Sequence, residues 1–251
     1  MNRKKRRIKK NIVPSMFTML NLFFGYFAIV NVLRENFVVA SWFIIAAAVW
    51  DAIDGKIARL THTYSEFGIQ FDSIADVVSF GAAPAILIYQ LFFYKLGAPG
   101  IIISFFPLLF GAIRLARYNV NLDGFEKGNF SGLPIPSMAV TLSSYVIFNY
   151  DLWEGLRFGP MLIPLVILLS VLMVSHIEYD TIPKFSFKVN RKNSLHLLVL
   201  IMGVTAILIF QEKVMFPLVF AFILFCVARS IKHSLKDDED EEELFDVSIS
   251  E

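Results

Sequence analysis

The sequence predicts an all-α fold, a polytopic membrane helical bundle of about eight transmembrane helices with both termini in the cytoplasm. Three observations lead to this prediction. Apolar residues make up 56% of the 251 residues and the mean hydropathy is +0.62, which a water-exposed surface does not accommodate. The apolar residues are gathered in long runs, and the basic residues lie in alternate connections between these runs.

Eight apolar stretches have about the length needed to cross the hydrocarbon core, which a helix spans with roughly 20 residues. The first follows a basic N-terminus, but it is longer than the apolar region of a signal peptide, so we interpret it as a retained span. The fourth stretch contains Pro107, which membrane helices tolerate, and the seventh stretch is short. A total of six or seven spans is therefore an alternative to eight. The stretches are residues 14–33, 37–60, 71–93, 98–117, 134–150, 159–176, 195–210 and 214–230.

The distribution of Lys and Arg predicts the orientation, since cytoplasmic loops carry the excess of these residues. With eight spans, all but four of the 23 basic residues fall on the side of the two termini. The four on the other side are Arg34, Lys95, Arg157 and Lys213. This asymmetry places both termini, and the connection between the second and third spans, in the cytoplasm.

The chain divides into three parts by charge. Residues 1–13 are a basic cytoplasmic N-terminus, 14–235 a membrane domain, and 236–251 an acidic tail that we expect to be disordered because it cannot bury a core. A nucleic-acid-binding module is excluded, since the basic residues are scattered at the ends of apolar runs. The single cysteine, Cys226, excludes an intramolecular disulfide and a cysteine-based zinc site.

The candidate catalytic and metal-binding residues lie in the second and third spans, on either side of the connection between them. Ionisable residues inside a span are costly and therefore indicate function, and four carboxylates stand here. They are Asp51 and Asp54 in the second span and Asp72 and Asp76 in the third. At about 100° per residue, each pair falls on one face of its helix. The connection is short, so we expect two antiparallel neighbours with their carboxylates at the same level.

Four carboxylates this close in a low-dielectric environment repel one another unless protons or cations neutralise them. Oxygen ligands favour hard divalent cations, so we predict two Mg²⁺ or Mn²⁺ ions, about 3.5–4 Å apart. Gly55, Ala58 and Gly68 share these faces and leave room for a ligand, while Arg59 can bind a phosphate. The alternatives are a buried ion-pair network or the ion site of a non-enzymatic cation transporter, although no repeat of the aspartate segment occurs in the second half.

The stretch 51–76 resembles the signature of the CDP-alcohol phosphatidyltransferases, with the spacing D-x2-D-G-x2-A-R-x8-G-x3-D-x3-D. No defined position departs from that signature. The resemblance implies a membrane-embedded enzyme that moves a phosphatidyl group from a CDP-linked lipid to an alcohol and releases CMP. It leaves open whether transfer is direct or passes through a covalent intermediate.

The resemblance also implies roles for individual residues. Asp51 and Asp72 are similar to ligands shared by both metals, Asp54 to a ligand of one and Asp76 to a ligand of the other. Asp76 would also be the general base. The positions similar to those that contact the CDP moiety are Gly55, Arg59 and Ser65.

Further segments resemble phosphatidylserine synthases of the metal-dependent membrane type, a branch of this family. They are PSMFTMLNLFFGYFAI, SFGAAPAILIY, RLARYNVN, FSGLPIPSMA and LMVSHIEY. The resemblance implies CDP-diacylglycerol and L-serine as substrates and a homodimer. The distribution of Lys and Arg predicts an active site at the cytoplasmic face of the cell membrane. Glycerol 3-phosphate or inositol phosphate as acceptor, and a donor with an archaeal-type lipid, remain open.

Two further sets of polar residues are candidates for substrate contacts. Arg114, Arg117 and Asn119 end the fourth span and can form an acceptor pocket for the carboxylate of an amino acid, or be ordinary flanking residues. A phosphate-bearing acceptor would need a denser set of basic residues. Thr18 and Asn21 stand one turn apart in the first span and can contact the nucleotide or bond to a neighbouring helix.

Overall fold

The structure is a computed structural model of the chain. It describes residues 2–61, 66–122, 132–175, 177 and 211–230, with side chains for 16–57, 67–120, 132–175, 177 and 213–230. All regular secondary structure in these ranges is helical and none of it is a strand, which confirms the all-α prediction. The chain forms two compact units, Met1–Gly128 with Leu133–Val174, and Asn129–Gly132 with Ser175–Glu251.

Eight α-helices lie in the described ranges. They are α1 (Asn2–Leu33), α2 (Phe37–Thr61), α3 (Glu66–Asp76), α4 (Ala83–Leu91), α5 (Ala98–Leu122), α6 (Ile135–Trp153), α7 (Leu162–Val174) and α8 (Met215–Ser230). A π-helical turn, Val77–Ala82, continues α3 into α4 and is termed the π segment. Short 3-10 turns occur at Phe93–Leu96, Gly159–Met161 and Gln211–Val214.

Within the described ranges, four helical stretches are long and apolar enough to cross a membrane: Met16–Leu33, Phe37–Ile57, Phe67–Leu91 and Ala98–Val120. The third of these comprises α3, the π segment and α4. The four stretches coincide with the first four predicted spans, and Pro107 lies inside α5. The fifth, sixth and eighth predicted stretches are helical as α6, α7 and α8, while the seventh and the acidic tail lie outside the described residues. Eight spans and cytoplasmic termini therefore stay predictions.

The first two helices form an antiparallel hairpin whose tight turn is organised by the backbone carbonyl of Asn31. That carbonyl accepts hydrogen bonds from the N–H groups of Arg34 (3.1 Å) and Asn36 (2.9 Å). Glu35 takes a left-handed conformation with φ 62°, as residues just beyond a helix end often do. Aromatic rings pack along the hairpin: Phe24 of α1 stacks with Phe43 and Trp50 of α2, and Phe27 meets Phe43 edge-on.

The sixth helix, α6, is enclosed by protein although it is more polar than the four membrane-length helices. Most of its residues from Ile135 to Asn149 are buried, against α2, α4, α5, α7 and the π segment. Hydroxyls in α6 bond within the helix: Thr141 donates to the carbonyl of Ser137 (2.7 Å) and Ser144 to that of Thr141 (2.9 Å). The polar residues of α6 thus face neighbouring helices, where small polar side chains allow close packing.

The π segment has a local cause in Pro84. Proline lacks an N–H, and its ring collides with the carbonyl four residues earlier, here that of Phe80, so a regular α-helix is disrupted at this position. The N–H of Ala83 instead bonds the carbonyl of Val78, five residues back, which is the π-helical pattern. The widened turn begins directly after Asp76.

A glycine in α1 lets this helix approach the π segment at backbone distance. A Cβ atom built on Gly25 would lie 2.6 Å from the Cα and 2.8 Å from the Cβ of Ser79, and would collide with the Ser79 hydroxyl. Any larger residue would therefore force the two backbones apart. The same hydroxyl donates a hydrogen bond of 2.9 Å to the carbonyl of Asn21, one turn earlier in α1.

Replacing Gly25 by alanine should destabilise the bundle, because the added methyl group must displace backbone atoms of the π segment. Overpacking of this kind costs about 1–3 kcal/mol. The measurement is thermal unfolding of detergent-purified protein. Gly155→Ala is the matched control, since no atom of the described residues lies within 4 Å of a Cβ at that position. Equal melting temperatures for Gly25→Ala and Gly155→Ala would contradict the close approach.

Candidate active site

The aspartates of the predicted motif lie on two neighbouring helices. Asp51 and Asp54 stand on α2, whereas Asp72 and Asp76 stand on α3, of which Asp76 is the last residue. Asp51, Asp72 and Asp76 each offer a carboxylate oxygen that lies within 4.8 Å of the other two. Asp76 is only 8% exposed. The fold therefore brings three of the four predicted ligands together, in a group that we term the carboxylate cluster.

Asp54 stands beside the carboxylate cluster and is tied to α1. Its side chain is 6% exposed, and Oδ2 accepts a hydrogen bond from the hydroxyl of Thr18. The charge of Asp54 interacts with those of Asp51 and Asp72. Asp54 therefore belongs to the site electrostatically, although its oxygens are not part of the 4.8 Å group.

Asp76 lies between side chains from α1 and α5. The amide Nδ2 of Asn21, a fully buried residue, donates a hydrogen bond of 3.1 Å to Oδ1 of Asp76. From α5, the guanidinium of Arg114 interacts electrostatically with Asp76. The carboxylate thus accepts a hydrogen bond from a neutral donor and interacts with the charge of a cation.

The donor set of the site fits a divalent cation. Carboxylates at this separation repel strongly where water is excluded, so an opposite charge stabilises them. Carboxylate and amide oxygens are the ligands that hard divalent ions prefer. One carboxylate oxygen, Oδ1 of Asp54, is buried without a hydrogen-bond partner among the described residues. Buried polar atoms generally have a partner, and a cation beside the cluster would supply one.

The predicted contacts of the CDP-linked lipid are only partly described. Gly55 is exposed directly after Asp54, and Gly68 is half-buried one turn before Asp72. Neither glycine carries a side chain that would fill the space beside the aspartates. The side chains of Ala58 and Arg59, and Ser65 as a whole, lie outside the described residues, so their roles stay predictions.

The three residues of the predicted acceptor pocket interact with different partners. Arg114 interacts with Asp76. Arg117 is exposed, and its Nη1 donates 3.3 Å to the carbonyl of Val174, the last residue of α7. Asn119 exchanges hydrogen bonds with Ser73 of α3, at 3.0 Å from Nδ2 to Oγ and 3.3 Å from Oγ to Oδ1. The fold brings only the first of the three to the carboxylates.

Thr18 and Asn21, the candidate nucleotide contacts, both donate to carboxylates of the motif. This agrees with the alternative expectation that they bond to neighbouring helices. Two serines with no predicted role also connect the helices: Ser73 ties α3 to α5, and Ser79 ties the π segment to α1. The signal was present, because each is a polar residue directly or one turn after a motif aspartate, but its partner could not be inferred.

Residues 11–177 match the family model described as CDP-alcohol phosphatidyltransferase. A CDP-diacylglycerol–serine O-phosphatidyltransferase of Helicobacter pylori is 40% identical over 192 residues, which cover 76% of this chain and 79% of that protein. An archaetidylserine synthase of Methanothermobacter thermautotrophicus is 37% identical over 175 residues, 68% of this chain and 70% of that protein. A CDP-diacylglycerol–serine O-phosphatidyltransferase of Bacillus subtilis is 33% identical over 175 residues, 69% and 93% of the two chains.

The family match covers α2 to α7 and the whole aspartate motif, including the carboxylate cluster. The motif, the all-helical fold with its membrane-length helices, and the relatives agree with one another. The chain belongs to the CDP-alcohol phosphatidyltransferase family.

Proposed function

We propose that the chain transfers the phosphatidyl group of CDP-diacylglycerol to the hydroxyl of L-serine, giving phosphatidylserine and CMP. The observation that carries the proposal is the carboxylate cluster, in which Asp51, Asp72 and Asp76 offer oxygens within 4.8 Å of one another. Membership of the family supplies the reaction class. Serine as acceptor is supported by relatives at 40% and 33% identity that are named CDP-diacylglycerol–serine O-phosphatidyltransferase.

The four aspartates would hold two divalent cations, Mg²⁺ or Mn²⁺. As the resemblance to the family implies, Asp51 and Asp72 would be ligands of both ions, Asp54 would be a ligand of one and Asp76 of the other. Such ions, when bound, neutralise charge on a diphosphate and on its leaving oxygen. The buried Oδ1 of Asp54, which has no hydrogen-bond partner among the described residues, supports its assignment as a ligand.

Asp76 is the general base of the proposed reaction. Its carboxylate takes the proton of the serine hydroxyl as that oxygen attacks the phosphorus on the lipid side of the diphosphate. A bond forms between the serine oxygen and this phosphorus, the bond from the phosphorus to CMP breaks, and CMP leaves with the electron pair. The low exposure of Asp76, 8%, restricts the access of water that would compete with serine.

Arg114 binds the carboxylate of serine in this proposal. Because Arg114 interacts with Asp76, an amino acid bound there would present its hydroxyl close to the base. Guanidinium and carboxylate groups pair in a directional, bidentate manner. Arg117 and Asn119 support the pocket from outside, since their bonds go to Val174 and Ser73.

Three parts of the proposal have separate grounds. From the motif, the CDP-linked lipid is bound by the small and basic residues of the motif. From the distribution of Lys and Arg, the site opens at the cytoplasmic face of the cell membrane. From the resemblance to the family alone, the protein acts as a homodimer. The residues proposed for lipid binding are Gly55, Ala58, Arg59, Ser65 and Gly68.

A donor with an archaeal-type lipid is a second candidate for the hydrocarbon half of the substrate. A relative at 37% identity is named archaetidylserine synthase, which favours this candidate. No motif that we identify contacts the hydrocarbon chains. The two donors share the nucleotide and the acceptor, so a direct comparison of both as substrates distinguishes them.

Detergent-purified protein given CDP-diacylglycerol and Mn²⁺ or Mg²⁺ should release CMP when serine is added. Glycerol 3-phosphate and inositol phosphate, in parallel reactions, should give only background release. A chelator should abolish the release, and excess metal should restore it. CMP release with another acceptor would identify that compound, and not serine, as the acceptor. Metal binding without CMP release under any condition would favour a cation transporter.

Asp76→Asn should lower kcat by about 10²–10⁴-fold, because an amide cannot accept the serine proton. The matched control is Asp151→Asn, an exposed aspartate at the end of α6, which should retain turnover. Size-exclusion chromatography in detergent checks that both variants are folded. Undiminished turnover in Asp76→Asn would refute the assignment of the base.

Arg114→Gln should raise the KM for serine by about 10–100-fold, since a hydrogen bond to a charged group contributes about 1.5–3 kcal/mol. The same change at Arg117 should alter this KM by less than about five-fold, because exposed charges contribute under about 1 kcal/mol. The measurement is a serine titration at saturating lipid substrate. A larger effect at Arg117 than at Arg114 would place the acceptor elsewhere.

A further inference from the structure

Two side-chain donors of α1 reach the carboxylates of both aspartate pairs. The hydroxyl of Thr18 donates to Oδ2 of Asp54, and Nδ2 of Asn21 donates to Oδ1 of Asp76 at 3.1 Å. The donors are three residues apart and therefore share one face of α1. Their acceptors stand on different helices, α2 and α3. A single face of α1 thus connects the two halves of the site.

Each donor meets the second aspartate of its pair. In the proposed arrangement these two aspartates, Asp54 and Asp76, bind one ion each, whereas the first aspartates of the pairs are shared. An aspartate that binds a single ion has an oxygen left for a protein donor. A hydrogen bond to that oxygen limits rotation of the carboxylate and so fixes the direction of the other oxygen.

The two donors are held firmly in the protein interior. Thr18 is 4% exposed and Asn21 is 0% exposed. The backbone carbonyl of Asn21 accepts the hydroxyl of Ser79, and Gly25 allows the π segment to approach α1 one turn further on. Because these contacts involve backbone atoms, they fix the position of α1 against the end of α3. Side chains enclosed in this way have little freedom to turn toward a bound nucleotide.

We infer that Thr18 and Asn21 are positioning residues of the metal site, which orient the second carboxylate of each pair and do not contact the nucleotide. The turnover readout of this inference rests on the proposed function, whereas its geometry rests on the described hydrogen bonds alone. Removing a partner that orients a metal ligand typically lowers metal affinity or activity by about 10–100-fold. The affinity for metal is therefore the quantity to measure.

The experiment titrates Mn²⁺ against the detergent-purified full-length protein and follows free Mn²⁺ by electron paramagnetic resonance. Thr18→Val and Asn21→Leu remove the donors at similar volume, while Thr18→Ser retains the hydroxyl. The matched controls are Thr141→Val and Asn31→Leu, which are buried residues whose donors bond carbonyls of their own helices. Kinetics of CMP release are measured in parallel at saturating Mn²⁺.

The expected result is an Mn²⁺ dissociation constant that rises about 10-fold or more in Thr18→Val and Asn21→Leu. Their kcat should fall, while the KM for CDP-diacylglycerol stays close to that of the unchanged protein. Thr18→Ser and the two control variants should bind Mn²⁺ as the unchanged protein does. This pattern separates an effect on the metal ligands from a general loss of packing.

Unchanged Mn²⁺ affinity together with a raised KM for CDP-diacylglycerol would assign Thr18 and Asn21 to the nucleotide and overturn the inference. Equal losses in the variants and their controls, or no Mn²⁺ binding by the unchanged protein, would overturn it as well. The proposed function fails separately. If the unchanged protein releases no CMP with any acceptor, but its Mn²⁺ affinity still depends on Thr18 and Asn21, the inference stands without the proposed activity.

Discussion

The enclosure of four carboxylates among helices is the constraint on which the rest of the structure depends. A buried charge without a partner costs several kcal/mol, whereas one with donors and opposite charges nearby is tolerated. Side chains of two helices offset this cost. Thr18 and Asn21 of α1 donate hydrogen bonds to the carboxylates, and the charge of Arg114 of α5 interacts with Asp76. The packing of the helices around the aspartates therefore depends on the contacts of the site, and the site depends on that packing.

The position of α1 follows from a series of local causes along the chain. Pro84 disrupts the regular helix and is accompanied by the π segment, and the π segment places Ser79 against α1. The absence of a side chain at Gly25 permits that contact, and the Ser79 hydroxyl then binds the carbonyl of Asn21. A proline eight residues beyond Asp76 thereby influences how its carboxylate is held. Widened turns of this kind are frequent at functional sites.

Sequence patterns predicted the elements that have a strong periodic or compositional signal. Hydropathy reports contact with lipid, so the four membrane-length stretches were predicted. The spacing of the motif placed Asp51, Asp72 and Asp76 on helix faces that meet. The partners of Arg117 and Asn119 were not predictable, because position on a helix gives a direction but not the neighbour that lies there. The π segment was not predicted, since a proline within an apolar run, here Pro84, accompanies a kink, a bulge or a helix end alike.

The polar interior of α6 affects how the protein is integrated into the bilayer during synthesis. The insertion machinery partitions each segment between water and lipid according to its apolar content. Thr141, Ser143, Ser144 and Asn149 weaken that partition for α6, and most of its contacts are with α2, α4, α5 and the π segment, which are translated before it. We therefore expect the earlier helices to form the environment into which α6 partitions.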